Sequence, residues 1–123
     1  MNRFVVGALV GLASACTSLT GPFEVSARPA ALRLENSSAM AIYYVLIESE
    51  TATRVDWAPC TNPLSCTKVA PGGATNIPYA QIMGYEPGDA EVILYWWHLE
   101  PAPAGGFQVD SIRAKRVHVW PGA

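Results

Sequence analysis

Two histidines, His98 and His118, are the side chains of this 123-residue sequence best suited to acid–base or metal chemistry. Their possible carboxylate partners are Asp56, Glu100 and Asp110. Neither histidine belongs to an H-x-H or H-E-x-x-H motif, and no serine is framed as G-x-S-x-G. We therefore expect no catalysis, no metal and no cofactor, and we expect both histidines to lie exposed on sheet faces.

The aromatic run YWWH at 95–98 is the other group that invites a functional interpretation, and it lies in the strongest predicted strand, 91–100. Because side chains alternate along a strand, Trp97 belongs to an apolar set that predicts the sandwich core, packed on 40–47. Trp96 and His98 then point outward as the candidate ligand or partner contact, where a sugar ring or a protein could stack. The alternative is that Trp96 is half covered by a neighbouring loop. The apolar set consists of Ile93, Tyr95, Trp97 and Leu99.

The first fifteen residues predict an export signal. Arg3 is followed by an apolar, uncharged run over 4–15. That run is shorter than the roughly 20 residues needed to span a bilayer. It ends in the small residues Ala13-Ser14-Ala15, which is typical of a cleaved secretory signal peptide over residues 1–15.

Cys16 follows the signal directly, and Ser14-Ala15-Cys16 resembles the lipobox of bacterial lipoproteins. In that family the Cys thiol receives a diacylglycerol, so the resemblance implies lipid attachment at Cys16. The family's Leu is displaced here, because Leu12 stands four residues before the Cys. Ala13-Ser14-Ala15 also fits the ordinary signal peptidase, whose cleavage would release an unlipidated chain. Residues 17–22, TSLTGP, predict a flexible tether.

Three cysteines are an odd number for an exported protein. If Cys16 carries lipid, Cys60 and Cys66 remain as a pair separated by TNPLS, a turn-forming segment. The spacing differs from the redox C-x-x-C motif, and a zinc site would need two more ligands. We therefore predict a structural Cys60–Cys66 disulfide that fastens one loop.

Composition predicts an all-β domain over residues 23–123. Ten Gly and ten Pro imply many turns. Only 15% of the residues are charged, and a net charge of −2 without a basic face argues against nucleic acid as a partner. Seven or eight short strands predict an immunoglobulin-like antiparallel β-sandwich of about seven strands. Helix is expected only as a turn or two over 79–84, and a type II turn over 86–89. The predicted strands cover 23–27, 31–35, 40–48, 53–57, 68–69, 75–79, 91–100 and 111–120.

Several segments together resemble a group of bacterial lipoproteins to which no activity is assigned. They are DWAPC at 56–60, IMGYEPG at 82–88, YWWH at 95–98 and DSIR at 110–113. The resemblance supports the fold and an envelope location but implies no chemistry. It leads us to expect an exported, lipid-anchored binding or assembly module with an envelope protein or glycan as partner. We expect it to be either an outer membrane lipoprotein or a lipid-anchored protein that faces the periplasm. The alternative is a carbohydrate- or small-ligand-binding domain that uses Trp96 and His98.

Overall fold

The computed structural model describes residues 23–119, which form an all-β sandwich. One short helix, α1 (Ser49–Ala52), and one 3₁₀ turn, Tyr79–Gln81, interrupt the strands. The predicted signal peptide and Cys16 lie outside the described residues. The strands are β1 (Phe23–Ala27), β2 (Ala31–Asn36), β3 (Ile42–Glu48), β4 (Lys68–Val69), β5 (Ala74–Pro78), β6 (Glu91–Trp97), β7 (Leu99–Pro101), β8 (Phe107–Val109) and β9 (Arg113–His118).

Seven of these strands form the two sheets of the sandwich, and their order confirms the immunoglobulin-like fold. One sheet has the order β1-β2-β5 and the other the order β9-β6-β3-β4, with every pairing antiparallel. The chain crosses between the sheets in the immunoglobulin manner. β1 and β2 lie in the first sheet, β3 and β4 in the second, β5 in the first again, and β6 and β9 in the second. The β7–β8 hairpin continues from β6 and pairs by itself.

The inner core lies between the two sheets and is mainly aliphatic. Leu32 and Leu34 from β2 pack against Val92 and Leu94 from β6, and all four are essentially inaccessible to solvent. Trp96 belongs to the same face of β6 and packs against this core. The predicted orientation of β6 is therefore inverted: the set with Trp96, and not the set with Trp97, faces the opposite sheet.

The outer face of β6 is covered as well, which explains why alternation could not identify the core side. Trp97 is only 2% exposed, as predicted, but it lies in a second cluster with Tyr43 and Cys66. Trp57 stacks on this face, with ring centroids 4.8 Å from Tyr95 and 5.9 Å from Trp97. Both faces of the strand are thus apolar because both are buried.

The loop that covers this face includes the predicted strand 53–57, and that prediction is wrong. Residues 49–52 are helical instead, because the carboxylate of Glu48 accepts hydrogen bonds from the backbone N–H groups of Glu50 and Thr51 at the helix start. The chain then turns at Thr53 and crosses the outer face as an irregular segment. The segment resembles a strand in sequence because Val55 and Trp57, which are half-buried, alternate with exposed residues.

The predicted helical turn and the predicted type II turn agree with the structure. The 3₁₀ turn begins at Tyr79, and Gly88 has φ +98 with the Asp89 N–H donating to the Glu86 carbonyl at 3.0 Å, as a type II turn requires. The predicted strand 91–100 is divided at His98 into β6 and β7.

Candidate functional site

His98 is buried rather than exposed, and its partner is Asp110. The backbone N–H of His98 donates to Asp110 Oδ1 at 2.8 Å, and the ring Nδ1 lies 3.1 Å from Asp110 Oδ2. The N–H of Asp110 in turn donates to the His98 carbonyl at 3.1 Å. The prediction of an outward His98 is therefore wrong, because the imidazole is stabilised in the interior by a carboxylate at the base of the β7–β8 hairpin.

Arg113 completes this group by donating from Nη2 to Asp110 Oδ2 at 3.0 Å. Partial burial alone would raise the pKa of the Asp110 carboxyl. Hydrogen bonds from Arg113, His98 and Ser111 outweigh that effect and hold the pKa well below its ordinary value. The carboxylate therefore stays charged and connects the segment 110–113 to His98.

A carboxylate bonded to one imidazole nitrogen is the arrangement that orients a general base or a metal ligand through the other nitrogen. In this structure Nε2 of His98 is buried and has no hydrogen-bond partner among residues 23–119. No solvent reaches that atom, so the conformation gives a substrate no access to it. Within the same residues no group of three His, Cys, Asp or Glu side chains is placed to hold a metal.

Trp96 is half-buried beside the start of the chain's first described strand. Its ring centroid lies 5.6 Å from that of Phe23, and Tyr44 is its neighbour in register on β3. Burial also raises the pKa of the Tyr44 hydroxyl. Trp96 and His98 thus form no open platform for a sugar ring, and the geometry does not favour the carbohydrate alternative at these residues.

The basic residues of the last strand are solvated side chains with acidic neighbours. Arg116 donates to Glu91 at 2.7 Å, and Lys115 and His118 are exposed on β9. His118 therefore lies where the sequence placed it. Positive side chains on an edge strand discourage edge-to-edge pairing, which accounts for this group without a ligand.

The predicted disulfide is present, and its loop forms one wall of a cleft. Cys60 and Cys66 are bonded with a Cα–Cα distance of 5.7 Å. The cleft has a volume of about 620 Å³ and separates residues 61–64 from the hairpin tip at 105–107. Its rim carries Leu64, which is 93% exposed, and Phe107, which is 46% exposed.

A second cleft of about 450 Å³ lies at the opposite end of the sandwich, where β1 turns into β2 and β5 ends. It is lined by prolines, alanines and two stacked tyrosines, and no charged side chain contributes to the lining. The lining residues are Pro29, Ala30, Pro78, Tyr79, Ala80, Tyr85 and Pro87.

The tyrosines of this second cleft are held in place by the fold. The Tyr79 hydroxyl donates to the Arg28 carbonyl at 2.6 Å, and the ring centroids of Tyr79 and Tyr85 lie 5.5 Å apart with an interplanar angle of 28°. The type II turn at 86–89 positions Pro87 beside them. The site could not be found from the sequence, because its residues come from three separate turns. Three prolines next to turns were the available signal.

Within residues 23–119, no helix is long and apolar enough to cross a membrane. Comparison of the chain with protein-family models, with curated proteins and with solved structures found no match in any of the three.

Proposed function

We propose that this protein is a non-catalytic binding module of the cell envelope, anchored by lipid at Cys16, which binds an extended segment of another envelope protein in the cleft around Tyr79 and Tyr85. The signal peptide over 1–15 directs export, and the tether 17–22 joins the anchor to the sandwich. The observation that carries the proposal is the placement of this cleft at the end of the domain opposite to the entry of the chain.

Strand register supports that placement. Phe23 at the start of β1 pairs with Asn36 at the end of β2, whereas Pro78 beside the cleft pairs with Ala31 at the start of β2. The six residues of β2 therefore separate the two ends by about 17 Å. A lipid anchor close to Phe23 would leave the cleft on the side that faces away from the membrane.

The chemistry of the cleft favours an extended, uncharged polypeptide. Grooves lined by aromatic side chains bind proline-rich or otherwise extended segments, because a preformed extended backbone loses little entropy on binding. Tyr79 is only 3% exposed and forms the floor of the cleft, whereas Tyr85 is half-buried. Ala30 and Ala80 beside them are exposed. No charged lining residue is present to select an acidic or basic segment.

Site-specific photo-crosslinking tests the proposal. A photoreactive phenylalanine at Ala80 should form an adduct with one envelope protein in cells, and mass spectrometry should map the adduct to a short segment of it. A synthetic peptide of that segment should then bind the purified protein in calorimetry.

The variant Ala80→Arg should abolish peptide binding by filling the cleft. Ala104→Arg is the matched control, because Ala104 is an exposed alanine in the β7–β8 hairpin at the other end. A photoreactive phenylalanine at Ala104 is the corresponding control for crosslinking. Equal peptide affinity for the two arginine variants, or an adduct from position 104 but not from position 80, would overturn the proposal.

A further inference from the structure

Large apolar side chains that remain exposed are concentrated at the end where the chain enters the domain. In the part of the chain that the structure describes, Leu64 is 93% exposed, Ile112 47% and Phe107 46%. The fourth exposed large apolar side chain, Met83 at 45%, lies beside the far end of β3, where it forms a bridge with Ile47 and its carbonyl accepts from the Glu48 N–H.

Strand connections place the first three side chains near Phe23. Ile112 precedes Arg113, which pairs with Trp96, and the Trp96 ring contacts Phe23. Phe107 lies in the hairpin that continues from β6, and Leu64 faces it across the 620 Å³ cleft.

We propose that this end of the sandwich rests on the lipid bilayer, with Leu64, Phe107 and Ile112 inserted among the lipid headgroups. The inference rests on the proposed lipid attachment at Cys16. Seven residues lead from Cys16 to Phe23, and an extended chain of that length spans at most about 24 Å. The tether therefore keeps this end close to the membrane and raises its local concentration there.

The loops that carry these side chains are held rigidly. The Leu64 N–H donates to Asn62 Oδ1 at 2.9 Å, and the Cys66 N–H donates to the Asn62 carbonyl at 3.0 Å within the disulfide loop. In the hairpin, Gly105 and Gly106 both have positive φ, and the Ala102 N–H donates to the Gly106 carbonyl at 2.9 Å. Such turns present Leu64 and Phe107 outward as fixed apolar tips.

Two basic side chains, Lys68 and Arg113, lie next to these apolar tips, as expected for a surface that contacts lipid headgroups. Lys68 lies at the base of the disulfide loop, where its ammonium donates to the Pro63 carbonyl at 2.8 Å. Arg113 follows Ile112 directly but is paired with Asp110. Apolar side chains with neighbouring Lys or Arg favour the headgroup region of anionic membranes. Because Asp110 neutralises Arg113, we expect the contact to depend mainly on the apolar side chains.

Hydrogen exchange on vesicles tests this inference. The processed chain, residues 16–123, keeps every described residue and is coupled through the Cys16 thiol to a maleimide phospholipid in vesicles of phosphatidylethanolamine and phosphatidylglycerol. The reference is the same chain coupled to a water-soluble maleimide. We expect amide exchange in 62–66, 103–107 and 110–113 to slow several-fold on vesicles, and exchange in 84–89 to stay unchanged.

Two variants give the matched comparison. Leu64→Ser combined with Phe107→Ser should abolish the protection, whereas Met83→Ser, equally apolar to polar but at the other end, should leave it intact. Unchanged exchange on vesicles, equal protection at both ends, or protection that appears only with protein-containing envelope membranes would overturn the bilayer contact.

Chemical coupling separates this inference from the proposed function. A chain that shows the protection but carries no lipid in cells would contradict the anchor and leave the bilayer contact intact. A chain that carries lipid in cells but shows no protection on vesicles would contradict the bilayer contact and leave the anchor intact.

Discussion

The indole Nε1 of Trp97 donates a hydrogen bond of 3.1 Å to the carbonyl oxygen of Cys60. This bond attaches the disulfide loop to the outer face of the four-stranded sheet. Cys66, the other half of the disulfide, packs in the same buried cluster as Trp97. The disulfide therefore fixes the cover of an aromatic cluster as well as closing a short loop.

Removing the disulfide with Cys60→Ala and Cys66→Ala should lower the free energy of unfolding by about 2–4 kcal/mol. Loop closure alone accounts for about 2 kcal/mol, and loosening of the loop over Trp97 adds the remainder. Urea denaturation measures the change. Reduced wild-type protein should show a similar loss, and a loss below about 1 kcal/mol in both samples would show that the loop packs without the bond.

Asn36 should be the most sensitive polar residue of the inner core. Its side-chain amide donates to the carbonyls of Met40 at 2.8 Å and Val69 at 3.0 Å, and its Oδ1 accepts from the Ser38 hydroxyl at 2.6 Å. Asn36→Ala leaves these buried groups unpaired and should cost about 2–4 kcal/mol in chemical denaturation.

Asn76→Ala is the control for Asn36, since Asn76 is exposed on β5. We expect the control to change stability by less than about 0.5 kcal/mol. The bond from Asn36 to Val69 connects β2 to β4 in the other sheet. Equal losses of stability in the two variants would show that this connection does not stabilise the fold.

Gly84 is required by a close approach as well as by its backbone. Its φ is +78, and a Cβ atom there would collide with the side chain of Thr51 in α1. Gly84→Ala should therefore cost more than Gly72→Ala, whose φ is +72 but whose Cβ would meet no atom within 4 Å. We expect about 1 kcal/mol for Gly72→Ala and at least twice that for Gly84→Ala.

A double variant checks the cause of that difference. Thr51→Gly should recover part of the loss in Gly84→Ala if the collision is responsible. Additive costs in thermal melts would assign the effect to the backbone alone.

Acid should destabilise the fold through carboxylates with lowered pKa values. Hydrogen bonds from the backbone N–H groups of Glu50 and Thr51 lower the pKa of Glu48, and bonds from Ser49 and Arg116 lower that of Glu91. The pKa of Asp110 is lowered most clearly, as described above. A group whose pKa is lower in the folded state stabilises the fold above its unfolded pKa, and that contribution falls as the pH drops toward the folded value.

Asp110→Asn should therefore be less stable than wild type at neutral pH, and the difference should shrink as the pH falls below about 4. Denaturation across this range measures it. Glu24→Gln, at an exposed position on β1, is the control. A difference between wild type and Asp110→Asn that is independent of pH would contradict the role of the carboxylate.

Sequence patterns predicted the disulfide and most of the strands, with 53–57 and β8 as exceptions, because these features depend on local sequence. Pro87 and Gly88 mark a type II turn, and the TNPLS segment closes the loop between Cys60 and Cys66. Residues 31–35, which were predicted as a strand, alternate along β2, and its buried face carries Leu32 and Leu34.

The orientation of β6 could not be predicted in the same way, because both of its faces are apolar. Which face meets the opposite sheet depends on where the loop with Trp57 lies, and that is a long-range property. His98 was misplaced for a related reason. Its burial depends on Asp110, twelve residues later, and alternation along one strand carries no information about that partner.

The candidate site was missed because turns distant in sequence build it. Tyr79 and Pro29 meet only when β5 pairs with β2. Single turns carry no signal for such a cleft.

Metabolic labelling with a palmitate analogue tests the central claim, a lipid anchor at Cys16, most directly. The wild-type chain should be labelled and recovered with membranes, and Cys16→Ser should carry no label. Ala13→Leu, which places a Leu three residues before the Cys and removes the ordinary cleavage site, should keep or increase the label. An unlabelled, soluble wild-type chain that begins at Cys16 would contradict the anchor and identify Ala13-Ser14-Ala15 as an ordinary cleavage site.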